Sequence, residues 1–199
     1  MFRNLALAFT LFLLLAATAF AQKPDNGKDN GKDSFDVQSS VGDLHMGSDA
    51  DAKKVGLPLY PGARLKADVD DNDSSRANLS LLTEAFGFKL VVAKYESDDA
   101  PEKVIAFYRD KLQKYGKVLE CHTHKQNAGV ELNDDDKDSS KSKEKSKELK
   151  CDENSGPVTE FKVGTEDDQH VVGIEPRDTG KGTTLSLVHV RTRGKRGEI

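Results

Sequence analysis

A chain folds around its apolar residues, and one long stretch here has almost none. Residues 131–138 carry five acids and one Lys, and residues 141–150 carry five Lys and two Glu. No apolar stripe runs through 125–150 at helical or strand spacing, so this tract cannot join a core and reads as a charged, disordered insertion. The only two cysteines bracket it, Cys121 before and Cys151 after. A bond between them would pinch the insertion at its base. It would close a loop of about 30 residues, worth roughly 3–4 kcal/mol in the chain-entropy treatment. The alternative is a pair of free thiols; their spacing is nothing like the C-x-x-C of redox pairs.

Which state holds depends on the compartment. Residues 1–21 have the order of a cleavable signal peptide: Arg3 in a short n-region, an apolar run from Leu5 to Phe20, then Ala19–Phe20–Ala21 before Gln22. The run falls short of the ~20 residues of a comfortable membrane crossing, and a polar tract follows at once. No Cys stands at the cleavage site to carry a lipid. The expectation is an exported protein, periplasmic or secreted, with no transmembrane segment after cleavage and with Cys121 bonded to Cys151.

Cleavage would leave 178 of the 199 residues and remove one charged group, Arg3, so 29 basic residues face 34 acidic ones, a net charge of −5. That balance argues against nucleic acid as a partner, since such binding asks for a basic face. Charged residues are 32% of the chain and the mean hydropathy is −0.64, but the polar residues gather in two tracts and the rest is globular in composition.

The first polar tract, with D-N-G-K duplicated, predicts a flexible leader over 22–40. Phe35–Asp36–Val37 and Asp43–Leu44–His45–Met46 read as short strands within and after it. A single domain is expected over 41–193, then a basic tail over 194–199. Tyr60–Pro61–Gly62–Ala63 specifies a type II turn, with Pro fixing the negative φ and Gly accepting the positive one. Ala77–Thr83 and Phe86–Tyr95 read as strands. In the second, Phe88, Leu90 and Val92 alternate with Val91, Ala93 and Tyr95, so both faces are apolar and the strand belongs inside a sheet.

Asp98–Asp99–Ala100–Pro101–Glu102 predicts a helix start, with an Asp cap and Pro in the first turn. The helix runs to about Tyr115, where Gly116 stops it. Val104, Phe107, Tyr108 and Leu112 form its apolar face, with Phe107 and Leu112 expected in the core. Lys117–His122, Val158–Val163, His170–Ile174 and Thr183–Arg193 complete the strands. The order predicts α+β architecture: an antiparallel sheet of about five or six strands with one principal helix on one face.

L-P-L-Y-P-G-A (57–63) followed by D-D-A-P-E-K-V-I-A-F-Y-R-D-K-L (98–112) resembles a family of uncharacterised exported bacterial proteins. Its pattern is a Y-P-G-A turn, two strands, a D-x-P-E-K-V-x-x-F-Y-x-x-x-L helix, a variable segment and closing strands. The likeness covers roughly 41–192. It implies an α+β fold and an envelope or secreted location, and no activity. The long charged insertion departs from the pattern, as does Ala100 where Ser is usual; Asp98 or Asp99 is expected to supply the capping oxygen instead.

Candidate sites are few. Asp68, Asp70 and Asn72 begin like a calcium loop, but Asp73 stands where Gly is needed and Leu79 where Glu is needed, so a solvated turn is the better reading. His122 and His124, two positions apart on a strand, share a face and form the best candidate metal pair, with Glu120 beside them and Asp134–Asp136 as possible further ligands. Against that, they read as two exposed histidines at a strand end. Tyr60, Phe107 and Tyr108 read as core ahead of pocket. His170 and His189 read as packing or edge residues without an obvious partner. Arg191, Arg193, Lys195 and Arg196 form a small basic end, better read as solvated.

No G-x-S-x-G elbow, H-E-x-x-H helix or P-loop occurs. The chain is thus expected to be a non-catalytic exported module without a cofactor, binding an unknown envelope partner or small ligand. The alternatives are a divalent-metal protein using His122 and His124, and an envelope hydrolase without a recognisable motif.

Overall fold

The structure, a computed structural model, describes residues 34–68, 74–124, 148–177 and 179–194. The expected signal peptide, most of the leader, the insertion up to residue 147 and the tail beyond Gly194 lie outside these residues.

Among the described residues nine strands form one antiparallel sheet: β1 (Ser34–Ser39), β2 (Gly42–Gly47), β3 (Arg64–Leu65), β4 (Arg76–Thr83), β5 (Gly87–Ser97), β6 (Leu119–Thr123), β7 (Val158–Thr165), β8 (Asp168–Pro176) and β9 (Thr183–Arg193). The spatial order is β1-β2-β4-β5-β9-β8-β7-β6, with β3 paired to the end of β5. The helices are α1 (Ala52–Val55) and α2 (Pro101–Lys111), the latter tightening into one 3₁₀ turn over Leu112–Tyr115 before Gly116. The protein is therefore mainly β with one principal helix, not an α+β fold of five or six strands. The difference lies at the N-terminus. β1 and β2 are a full hairpin that β4 extends into the main sheet, and Ser34–Ser39 belongs to a strand and not to a leader.

β5 is the hinge of the topology. It pairs with β4 on one side and over eleven residue pairs with β9 on the other, which joins the N-terminal strands to the C-terminal meander. Its two apolar faces serve both sides of the sheet, as an interior strand requires. Val91, Ala93 and Tyr95 lie in a core with Leu185, Leu187, Val172, Ile174, Phe161 and Val163 from the neighbouring strands. The helices cover this face with Val55, Val104, Tyr108 and Leu112, all fully buried.

Spacing of four along α2 selects Val104, Tyr108 and Leu112 for the buried row. Leu112 is thus core as expected. Phe107 sits on the flank, partly buried, edge-on to Tyr60 at 5.2 Å and to Tyr108 at 5.0 Å between ring centroids. Tyr60 and Tyr108 are themselves buried, and the three rings pack edge to face on one another. The capping expectation fails. Ala100 is the N-cap and makes no side-chain bond; Asp98 instead bridges Arg64 and Arg177, while Asp99 accepts from Tyr60 and Lys103. Pro101 holds the first turn in place of a cap.

Three tyrosines fix the segment that enters the core. The Ala52 N–H donates to Tyr95 Oη (2.7 Å), while the Tyr108 and Tyr115 hydroxyls donate to the carbonyls of Pro58 (3.0 Å) and Gly56 (2.9 Å). The turn after it is of the expected kind: Gly62 has φ of 79° and the Ala63 N–H donates to the Tyr60 carbonyl at 3.0 Å.

Candidate docking surface

The opposite face of the sheet is apolar as well. Strand alternation and register place Phe35 and Val37 of β1, Leu44 and Met46 of β2, Leu79 and Leu81 of β4, and Phe88, Leu90 and Val92 of β5 on that side. Val188 and Val190 of β9 and Val171 of β8 continue it. These last three form a second cluster with Phe88, Leu90 and Val92, and no residue of either helix belongs to it. Toward β1 the side chains open out: Phe35 is 59% exposed, Met46 49%, Val37 40% and Leu81 37%. No charge interrupts the array between β1 and β8 until Lys94, Glu96 and Glu175 at its end. Six neighbouring strands at ~4.8 Å spacing make it about 24 Å wide.

Charges close the surface at two borders. At one, Arg64 and Arg177 hold Asp98, and Arg177 also holds Glu96. At the other, the segment after the insertion lies against β6 and β7. The Cys121–Cys151 disulfide ties it down, with Cα atoms 5.5 Å apart and Cys121 fully buried. Gly156 completes the seam: its N–H donates to the His122 carbonyl, and a Cβ there would collide with the Thr123 backbone at 1.9 Å. Beneath the segment, buried Lys162 reaches Asp152 (2.7 Å), Glu160 (3.3 Å) and the Lys150 carbonyl (3.3 Å). Burial pushes the Glu160 carboxyl up against the pull of Lys162. Its second oxygen has no hydrogen-bond partner among the described residues. This Lys–Glu–Asp set gave no signal in the sequence: Glu160 and Lys162 lie two apart on β7, and Asp152 reaches them from the loop before that strand.

The predicted metal residues are placed differently from one another. His122 is exposed on β6, and its backbone N–H donates to Asn154 Oδ1 (2.9 Å). His124 lies just past the strand and is paired through Nδ1 with Glu153. Glu120 accepts from two guanidinium nitrogens of Arg109, Nη2 at 2.8 Å and Nε at 3.1 Å. Among the described residues no group of three or more His, Cys, Asp or Glu is arranged to hold a metal ion; Asp134–Asp136 lie outside them. Of the calcium-like stretch, Asp68 accepts from the Ser75 N–H, and Asp70 and Asn72 lie outside the described residues.

Two histidine clusters were missed. His170 and His189 stack, with centroids 4.3 Å apart and planes 3° from parallel, and His189 is paired with Asp168 at 2.8 Å. They are direct cross-strand partners on β8 and β9, which their sequence separation hides. His45 lies between Asp36 (2.7 Å) and Asp49 (3.5 Å), and these carboxylates raise its pKa. Its second nitrogen faces the Asn78 amide at 3.2 Å where a triad would place a hydroxyl.

Among the described residues no helix is long and apolar enough to cross a membrane. In comparisons with protein-family models, curated proteins and solved structures, nothing matches this chain.

Proposed function

We propose that this is a non-catalytic exported binding module whose uncovered sheet face docks a folded protein partner through an apolar, uncharged surface. The observation that supports it most is the apolar array from β1 to β8, with Phe35, Val37, Met46 and Leu81 substantially exposed. Soluble proteins seldom leave so broad a contiguous apolar face bare. A width of about 24 Å suits a protein surface better than a small ligand, which is normally enclosed in a cleft. The absence of charge within the array means that docking desolvates no unpaired ion.

Export is part of this reading and rests on residues 1–21; intact mass of exported material should show a chain beginning at Gln22. For docking, the mature protein is titrated with a fluorescent apolar dye. The native chain should bind it, and Phe35→Ser combined with Met46→Ser should weaken binding several-fold without loss of fold. A native chain that ignores the dye, or a double variant that binds it equally well, would sink the proposal.

A further inference from the structure

On the helix-covered side, the sheet extends past the end of the core, and a depression of about 320 Å³ opens there over Gly87. The core cluster ends at Val91 on β5 and Leu187 on β9, so the rows beyond it carry no helix residue. In those rows Ser80, Lys89 and Arg191 lie abreast on β4, β5 and β9, followed by Leu82, Gly87 and Arg193. All six line the depression. Gly87 keeps it open: a Cβ at that position would meet Leu82 Cδ1 at 3.3 Å and Arg193 Cβ at 3.5 Å.

The charges are arranged against ordinary sheet stability. Lys89 stands directly opposite Arg191, and like charges opposite one another destabilise a strand pair. Arg193 follows two residues on, in a chain whose net charge is −4. Neutralisation from within is partial: Asp43 and Glu84 line an adjoining depression together with Arg193. Asp168 comes only to 3.6 Å of Arg191 and is already paired with His189; Arg193 donates to the Thr83 carbonyl at 3.1 Å; Lys89 enters no ion pair among the described residues.

We infer that this depression is an oxyanion site for a phosphate-type group, a function separate from the apolar docking face. Two guanidinium forks and an ammonium supply directed donors and a point charge, the combination that holds phosphate oxygens. The Ser80 hydroxyl adds a neutral donor. At ~30 Å³ per water the depression has room for about ten waters, so it accepts the anion together with part of the group that bears it. Free phosphate and a lipid phosphate share this chemistry.

The test uses the whole mature chain at low ionic strength, titrated with inorganic phosphate and, separately, with vesicles of phosphatidylcholine with and without phosphatidic acid. Saturable binding of inorganic phosphate points to a soluble source. Binding only to vesicles containing phosphatidic acid points to a headgroup, and either result supports the site. Lys89→Gln with Arg191→Gln should weaken the binding at least tenfold at unchanged Tm. Gly87→Val keeps every charge, fills the depression and should do the same, which separates a shaped site from diffuse attraction. No binding to either probe, or equal binding by the Lys89→Gln/Arg191→Gln chain or by the Gly87→Val chain, overturns the inference. The dye result on the opposite face is independent of all these outcomes.

Discussion

One side of the sheet carries two helices and seventeen buried core residues; the other has a three-valine cluster to which no helix contributes. Both are built from the same strands by the same alternation, and both are rich in Val and Leu. What differs is the cover. The helix side is sealed by Val55, Val104, Tyr108 and Leu112, and three tyrosine hydroxyls satisfy backbone groups beneath them. On the open side, covering by the described residues is limited to the disulfide-tied border, where buried Lys162 and Glu160, with the exposed Asp152, replace apolar packing. Apolar character therefore does not by itself mark a core. It marks a surface that needs a partner, and the described residues supply one for only one of the two faces.

The comparison is tested most strongly on the sealed side. Phe161 is fully buried there, so Phe161→Ala should cost about 3–5 kcal/mol and lower Tm sharply or abolish soluble expression. Near-native melting of that variant would mean the helices do not seal the face. Next in size is the tied border. Replacing Cys121 and Cys151 by Ser should cost roughly 3–4 kcal/mol in the chain-entropy treatment, read from denaturant midpoints. A loss below about 1 kcal/mol would show that the covering segment holds without its staple.

A smaller effect is expected from pH. Burial holds the His170 pKa below its ordinary value, the facing His189 adds to this, and Asp168 acts in the opposite sense; Tyr115 packs on the ring. A histidine depressed in the folded state takes up its proton more weakly than in the unfolded chain. Protons then favour unfolding as pH falls below about 6.5, and stability is lost on that side. The drop in Tm between about pH 7 and pH 5 should shrink in His170→Asn, measured by thermal scans. An unchanged drop would assign acid sensitivity elsewhere.

The smallest effect belongs to the open side. Phe35→Ser and Met46→Ser remove exposed side chains, so each should shift stability by no more than about 0.5 kcal/mol while dye binding falls. If either costs several kcal/mol, that face is a core of its own.

Much of the local structure was legible. The Y-P-G-A turn, the helix stop at Gly116 and the interior position of β5 follow from residues that leave the backbone little choice. Asp98 and Asp99 were misread because sequence shows an oxygen beside a helix start but not the distant Arg64, Arg177 and Tyr60 that claim it. Phe107 and Tyr108 are neighbours of equal apolar promise. Only the direction from which the sheet approaches α2 makes Tyr108 the buried one.

By itself the sequence determined where most of the strands, the Y-P-G-A turn and the principal helix form, and that Cys121 and Cys151 flank a tract no core can hold, because these depend on local sterics and on periodicity. The tertiary structure alone decided that β5 pairs with β9, that His170 meets His189, and that Lys89 faces Arg191 one row from Gly87. It also decided which apolar face the helices would take. Alternation with a period of two shows that both faces of β5 are apolar, but the choice between them is made by crossover connections and side-chain volumes far apart in the chain.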